Sequence, residues 1–277
     1  MTPTGLRAEI KPPVAAPRRH SLVDVAIDPD VDRWEHGVST FPNSTDDVSS
    51  WTWPADADTS VAKDEGASPT GDDFEPFVIY VPCVQSTFGL LSEQEMVDRD
   101  TARLVAIEAT AIEVEFATAA LMTTNPALAG APTLINAGTP LGVIEGYRSI
   151  DDALARAHGI GVVHISPRTA AWWIRYNLIE KNTRGEYETM SGHTVVIGLG
   201  YAGTKPTASP ANGAAHEWAY GTAQVFLKRT PIEVYGSTPA ERVDRIINKS
   251  VLRVERSVLV GWDTNVHLAV KIDHTTT

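Results

Sequence analysis

The chain has 277 residues, 43% of them hydrophobic, which allows a sizeable core in one large domain or two small ones. No run approaches the ~18 consecutive apolar residues that a membrane span needs, and the single cysteine, Cys83, excludes an internal disulfide or a cysteine-rich metal site. The net charge of −12 is concentrated in residues 28–76, where thirteen acidic residues face only Arg33 and Lys63, and no segment has the broad basic footprint of a nucleic-acid reader.

The first twenty residues carry Lys11, Arg18 and Arg19 with no apolar stretch after them, which argues against a secretory signal. Residues 28–75 are rich in Asp, Ser, Thr, Pro and Gly, a composition typical of disorder. They nevertheless hold Trp34, Phe41, Trp51, Trp53 and Phe74. Large apolar anchors of this kind pin a segment to something, either its own domain or a neighbouring chain. Phe77–Val81 is a continuous β-prone run and predicts a strand, with Cys83 a small semi-buried residue after it.

Ser92-Glu93-Gln94-Glu95 forms a capping box that opens a helix. No Gly or Pro interrupts residues 92–122, and Val97, Leu104, Ile107, Ala111, Val114, Thr118 and Leu121 fall on one helical face. The expected rod is about 45 Å long. A second stripe through Val105, Ile112 and Phe116 predicts burial on more than one side. Glu108, Glu113 and Glu115 lie in the same rod, expected as solvated positions or as partners of a neighbour's arginines; a carboxylate metal site would want a histidine, and this helix has none.

Asn125-Pro126 is the expected helix stop, followed by a Gly/Pro/Ala-rich connection to Pro140. A short helix capped by Ser149 is expected to run through Ala157 and end at Gly159. Val162–Ile165 reads as a buried strand, and Ser166-Pro167 as an N-cap with Pro at the first helical position. The next helix carries Ala170, Trp173, Ile174, Asn177 and Leu178. Thr194–Ile197, Ala223–Leu227, Ser250–Val260 and His267–Ile272 read as strands. The second half is therefore an α+β unit of helices packed on a sheet.

Gly198-Leu199-Gly200-Tyr201-Ala202-Gly203 matches the glycine pattern of a dinucleotide loop, but Pro206 and Pro210 follow where such a site needs a helix to meet the pyrophosphate. It reads as a glycine-rich turn, and no cofactor is expected. The eight histidines are scattered. His164 reads as a core histidine, His193 and His216 as surface groups, and Asp263 as a turn residue capping backbone amides. No nucleophile, base and orienter form a recognisable set.

The order of elements, an extended arm, a hairpin-like stretch, one long helix and then an α+β unit, resembles the capsid fold named after Hong Kong phage 97. Tailed-phage major capsid proteins and encapsulins share that fold. Residues 109–121 (ATAIEVEFATAAL) resemble the end of an encapsulin-type spine helix, and residues 150–154 the amphipathic helix that follows it. Residues 161–167 resemble the axial-domain strand that ends in Ser-Pro, and residues 193–198 the next core strand. Residues 251–257 (VLRVERS) and 269–272 resemble the closing strands.

The resemblance implies an N-terminal arm and E-loop in residues 1–76, and a peripheral domain in 77–145 with a spine helix at 92–122. An axial domain would occupy 146–247, with closing strands in 248–277 returning to the peripheral domain. It also implies a structural virion protein, not an enzyme. This would be a major capsid subunit forming pentamers and hexamers of an icosahedral shell around double-stranded DNA, without sequence-specific DNA binding. It would carry no cofactor and touch no membrane, with other head proteins as further partners, and would assemble in the host cytoplasm. An encapsulin-type compartment and a minor head or head–tail joining protein are the alternatives. Trp34, Phe41, Trp51, Trp53, Phe74, Glu108, Glu113 and Glu115 are the subunit-interface candidates. The resemblance does not extend to the Lys–Asn cross-link of some family members, since Lys63 is the only lysine in residues 28–76 and Asn248 a poor partner for it.

Overall fold

A computed structural model describes residues 16–40, 71–86, 92–209, 213–235, 243–244 and 249–276. The elements are, in order, α1 (Leu22–Val25), β1 (Val38–Thr40), β2 (Asp72–Phe74), β3 (Phe77–Ser86), α2 (Glu93–Thr118), β4 (Thr133–Leu134), β5 (Leu141–Gly142), α3 (Val143–His158), β6 (Val162–Ile165) and α4 (Pro167–Arg175). There follow β7 (Ile179–Lys181), β8 (Tyr187–Thr189), β9 (Thr194–Ile197), β10 (His216–Thr222), β11 (Val225–Arg229), β12 (Glu233–Tyr235), β13 (Val243–Asp244), β14 (Lys249–Trp262) and β15 (His267–Asp273).

Two compact units arise. Among the described residues, one draws on 79–108 and 231–256, the other on 19–78, 109–230 and 257–276. The division differs from the expected one in two ways. The boundary expected at 145/146 falls inside α3, whose N-cap is Gly142, seven residues before the expected Ser149. The closing strands do not act as one block: β15 is the second strand of the large sheet of the second unit. It is held there by an unbroken seven-pair antiparallel ladder to β10, from His216↔Asp273 to Thr222↔His267.

That large sheet has eight strands, ordered β4-β15-β10-β6-β9-β8-β7, with β5 also paired to β15. β6 and β9 run parallel, whereas β10 is antiparallel to both β6 and β15. β6 (Val-Val-His-Ile) is buried at all four positions, the mark of a strand covered on both faces. Val163 and Ile165 join Tyr147, Ile150 and Leu154 of α3 and Trp173 of α4 in one apolar cluster. Trp173 is completely buried, with Tyr147 edge-on to it at 5.2 Å. His164 points to the other face, where its ring meets Phe116 at 5.2 Å and Tyr201 at 5.3 Å. β10 was not among the expected strands; Gly221 and the Gly/Ala-rich residues 213–215 hide its apolar run Trp218-Ala219-Tyr220.

α2 begins as expected. Ser92 Oγ accepts from the Glu95 amide at 3.3 Å and Glu95 accepts from the Ser92 amide at 3.0 Å. It ends earlier than expected, at Thr118 and not Met122. Ala119 turns into the left-handed region (φ 47) and Glu115 folds back to accept from the Leu121 and Met122 amides at 2.9 and 2.8 Å. At 26 residues the rod spans about 39 Å. Ile112 and Phe116 of the second stripe and Leu104 of the first are covered as expected, whereas Ile107 and Val114 of the first stripe are 43% and 41% exposed.

The second sheet is built on β14, with β11, β12, β13 and β3 paired to it. In the first unit, Met96 and Leu252 bury each other with Val97 and Val234. In the second, Gly261 lets Phe226 and Phe74 lie directly on the strand; a Cβ there would sit 2.4 Å from one ring and 2.9 Å from the other.

His164 fixes the pH response of this core. Thr222 Oγ1 donates to the Ala223 carbonyl, so it accepts from His164 Nε2 (2.9 Å), and Nδ1 accepts from the Tyr201 hydroxyl (3.1 Å). The ring is thus held neutral. Burial, with a smaller push from His267, lowers its pKa from 6.5 to about 3. Between these values the unfolded chain binds a proton that the folded one refuses, so stability falls as pH drops from 6.5 towards 3, by at most ~1.4 kcal/mol per pH unit from this group. Urea unfolding from pH 7 to 4 is expected to show that His164→Gln flattens this part of the curve, whatever it costs at pH 7.

Candidate functional site

Of the eight interface candidates, five lie among the described residues, and all five are engaged within the chain. Phe41, Trp51 and Trp53, like Lys63 and Asn248, lie outside the described residues. Trp34 is 8% exposed and Phe74 1%. Phe74 is the last residue of β2, which pairs antiparallel with β1 from Val38↔Phe74 to Thr40↔Asp72. Its ring packs at 5.6 Å from Phe226 and 5.7 Å from Trp262. The segment is also fastened at its start, where Ile27 bridges to Phe226 and Asp28 pairs with Lys228 at 2.7 Å. The bland alternative, a long loop folded onto its own domain, holds for these two aromatics.

The three glutamates are neither solvated nor waiting for a neighbour's arginines. Arg256 of the same chain donates from Nη1 to both oxygens of Glu108, at 2.9 and 3.0 Å. Glu113 is fully buried and accepts from the backbone amides of Leu22 and Gly200, each at 3.3 Å. Glu115 closes the helix end as described above. The reason is geometric: these carboxyls sit on the side of α2 that carries Ile112 and Phe116, and a carboxyl buried there is tolerated only when it is hydrogen-bonded.

The glycine pattern at 198–203 serves the same packing. Leu199–Tyr201 form a single 3-10 turn, not the start of a helix. A Cβ on Gly200 would lie 2.5 Å from the α2 backbone at Glu113 and Val114. Gly200 is the residue that lets the turn reach the helix, and its amide goes to Glu113. Ser166 donates to Glu217 and caps α4 by accepting from the Thr169 amide at 3.2 Å. His274 reaches Thr169 Oγ1 at 3.2 Å and not Ser166. This arrangement is a helix cap tied to the last strand, and it does not orient a base on a nucleophile. His193, expected at the surface, is wholly buried, accepting from the Gly161 amide and donating to the Asp151 carbonyl, both at 3.1 Å. Among the described residues no His/Cys/Asp/Glu group is placed to hold a metal ion, and no helix is long and apolar enough to cross a membrane.

Among the described residues the most exposed large apolar side chains are Met190 (84%), Leu121 and Ile160 (63% each), Tyr80 (56%), Ile27 (51%) and Leu199 (49%). Composition did not single these out. Met190 and Leu199 each occupy a glycine-bearing turn, and a large apolar residue in such a turn is the one sequence signal that could have found them.

The Glu108–Arg256 pair gives a measurable consequence. Arg256→Met leaves a buried carboxylate without its partner and is expected to lower the urea-unfolding stability by about 3–5 kcal/mol, whereas the double change Glu108→Met/Arg256→Met recovers most of that loss.

No family model matches the chain, and no curated protein matches it. Solved structures do. A chain of Mycobacterium phage Ogopogo matches with a TM-score of 0.53 at 13% identity, covering 98% of this chain and 96% of that one. The capsid of an empty GTA particle matches with a TM-score of 0.56 at 12% identity over 99% and 94%. A chain of Mycobacterium phage Che8 matches with a TM-score of 0.53 at 10% identity over 100% and 99%. The likeness runs nearly the length of both chains in each case. The chain has the α+β capsid fold of Hong Kong phage 97.

Proposed function

We propose that the chain is a structural subunit of a phage-type capsid. Copies of it join as pentamers and hexamers into an icosahedral shell that encloses double-stranded DNA. The observation that carries this reading is the end-to-end fold likeness to a GTA particle capsid and to phage chains. The exposed apolar residues support it, since a stable assembly buries large, charge-poor surfaces, typically above ~2,000 Å².

The charge distribution fits a container better than a reader. A net charge of −12 gives a wall that repels DNA weakly and binds none of it by sequence. The basic N-terminal residues are the exception and would face the interior. The particle would form in the host cytoplasm, with other head proteins as additional partners.

Negative-stain microscopy of the purified protein tests this reading, with size-exclusion chromatography and ultraviolet absorbance alongside. Closed shells with an absorbance ratio rich in nucleic acid are expected when the protein is recovered from particles. A stable monomer near 29.9 kDa would overturn the shell reading. Shells filled with protein would identify an encapsulin-type compartment, and rings of small fixed copy number a head–tail joining role.

A further inference from the structure

Two features at opposite ends of the large sheet match each other. At the β4 end, residues 129–134 and 204–208 are zipped together, with the Thr207 amide donating to the Ala129 carbonyl at 2.8 Å. They frame an apolar depression of about 580 Å³ lined by Gly130, Ala131, Pro132, Leu134, Pro206 and Ala208. Its surroundings are almost free of charge. The chain is 21% charged overall, yet residues 116–144 contain no Asp, Glu, Lys or Arg, and residues 198–209 contain only Lys205. The Lys205 ammonium is itself directed to the Ser209 carbonyl at 2.6 Å. Depletion of charge around an apolar centre is the compositional sign of an interface core.

At the other end, the turn after β8 carries Met190, the most exposed large apolar side chain among the described residues. The turn is held rigidly. The Met190 amide donates to the Tyr147 hydroxyl at 2.8 Å, Ser191 Oγ donates to Asp151 at 2.7 Å, and Gly192 takes the positive φ (87°) that closes it. A backbone that is already rigid loses little further entropy on binding, and the thioether of Met adapts to the shape of an apolar hole.

Five strand spacings separate β4 from β8 in the sheet order, about 24 Å. Met190 therefore cannot fill the depression of its own chain. A knob on one end and a hole on the other end of one sheet is the requirement for a heterologous, head-to-tail contact, which closes into a ring when the rotation fits. We propose that Met190 of one copy seats in the depression framed by Ala131 and Ala208 of the next copy, and that this contact closes the rings from which the shell is built. The occupant is a second copy of this chain, so the proposal rests on the shell reading above.

The test uses the full chain with Cys83→Ser as background. Met190→Cys and Ala208→Cys on the same chain, mildly oxidised after assembly, are expected to give a non-reducing ladder that stops at five or six subunits, because each chain gives one link and receives one. Separately, Met190→Glu and Ala208→Glu are each expected to cut particle yield at least tenfold with an unchanged urea midpoint, and Met190→Glu with Ala208→Lys to restore it in part. Double-cysteine shells that give no ladder, together with Met190→Glu shells at wild-type yield, overturn this contact and leave the shell reading standing. A wild-type chain that never leaves the monomer overturns both.

Discussion

Glu113 is the constraint around which the second unit is arranged. A carboxyl with no exposed surface, in the middle of a long helix, must be met by donors, and here two backbone amides from distant segments donate to it. The Leu22 amide brings in the start of α1, and the Gly200 amide brings in the turn after β9. That turn can reach the helix only because Gly200 has no side chain. The carboxyl thus sets where two segments, 91 and 87 residues away in sequence, cross the helix. The neighbouring carboxyls repeat the device, Glu115 ending the helix and Glu108 holding Arg256 in the first unit.

The same face of the helix supports the sheet. Phe116 lies against His164 on one side and Trp262 on the other, at 5.2 and 4.8 Å. α3 and α4 cover the opposite face of β6 through Ile150, Leu154 and Trp173. A sheet covered on both faces has its edges and turns left for partners. In this molecule the β4 edge is neutral and hollow, and the turn beside the β7 edge is projecting and apolar. The proposed assembly through sheet ends is compatible with a core that is already closed.

Much of the chain was legible because its signals are local. The capping box at Ser92, the Ser166-Pro167 cap, the four-residue strand Val162–Ile165 and the prolines after the glycine pattern depend on neighbours in sequence, and each appears where expected. The candidate interface was much less legible. Trp34 and Phe74 carry a composition that suits an anchor, but composition cannot say whether the anchor holds to its own chain. Glu108, Glu113 and Glu115 look solvated by residue type, and their donors lie 148, 91 or 87, and six to seven residues away.

The sequence by itself determined the long capped helix, the α+β character of the second half, the turn character of the glycine pattern and the order of elements that matches the capsid fold. These follow from periodicity, caps and turn chemistry, which act within a few residues. The tertiary structure alone decided which side of α2 is buried, since Ile107 and Val114 have the spacing of a core stripe and yet face outward. It also decided that the closing strand joins the large sheet, that Trp34 and Phe74 are buried within their own chain, and that Met190, Leu121 and Leu199 are exposed. Burial is settled by which distant surfaces compete for a face, and spacing along the chain carries no record of that competition.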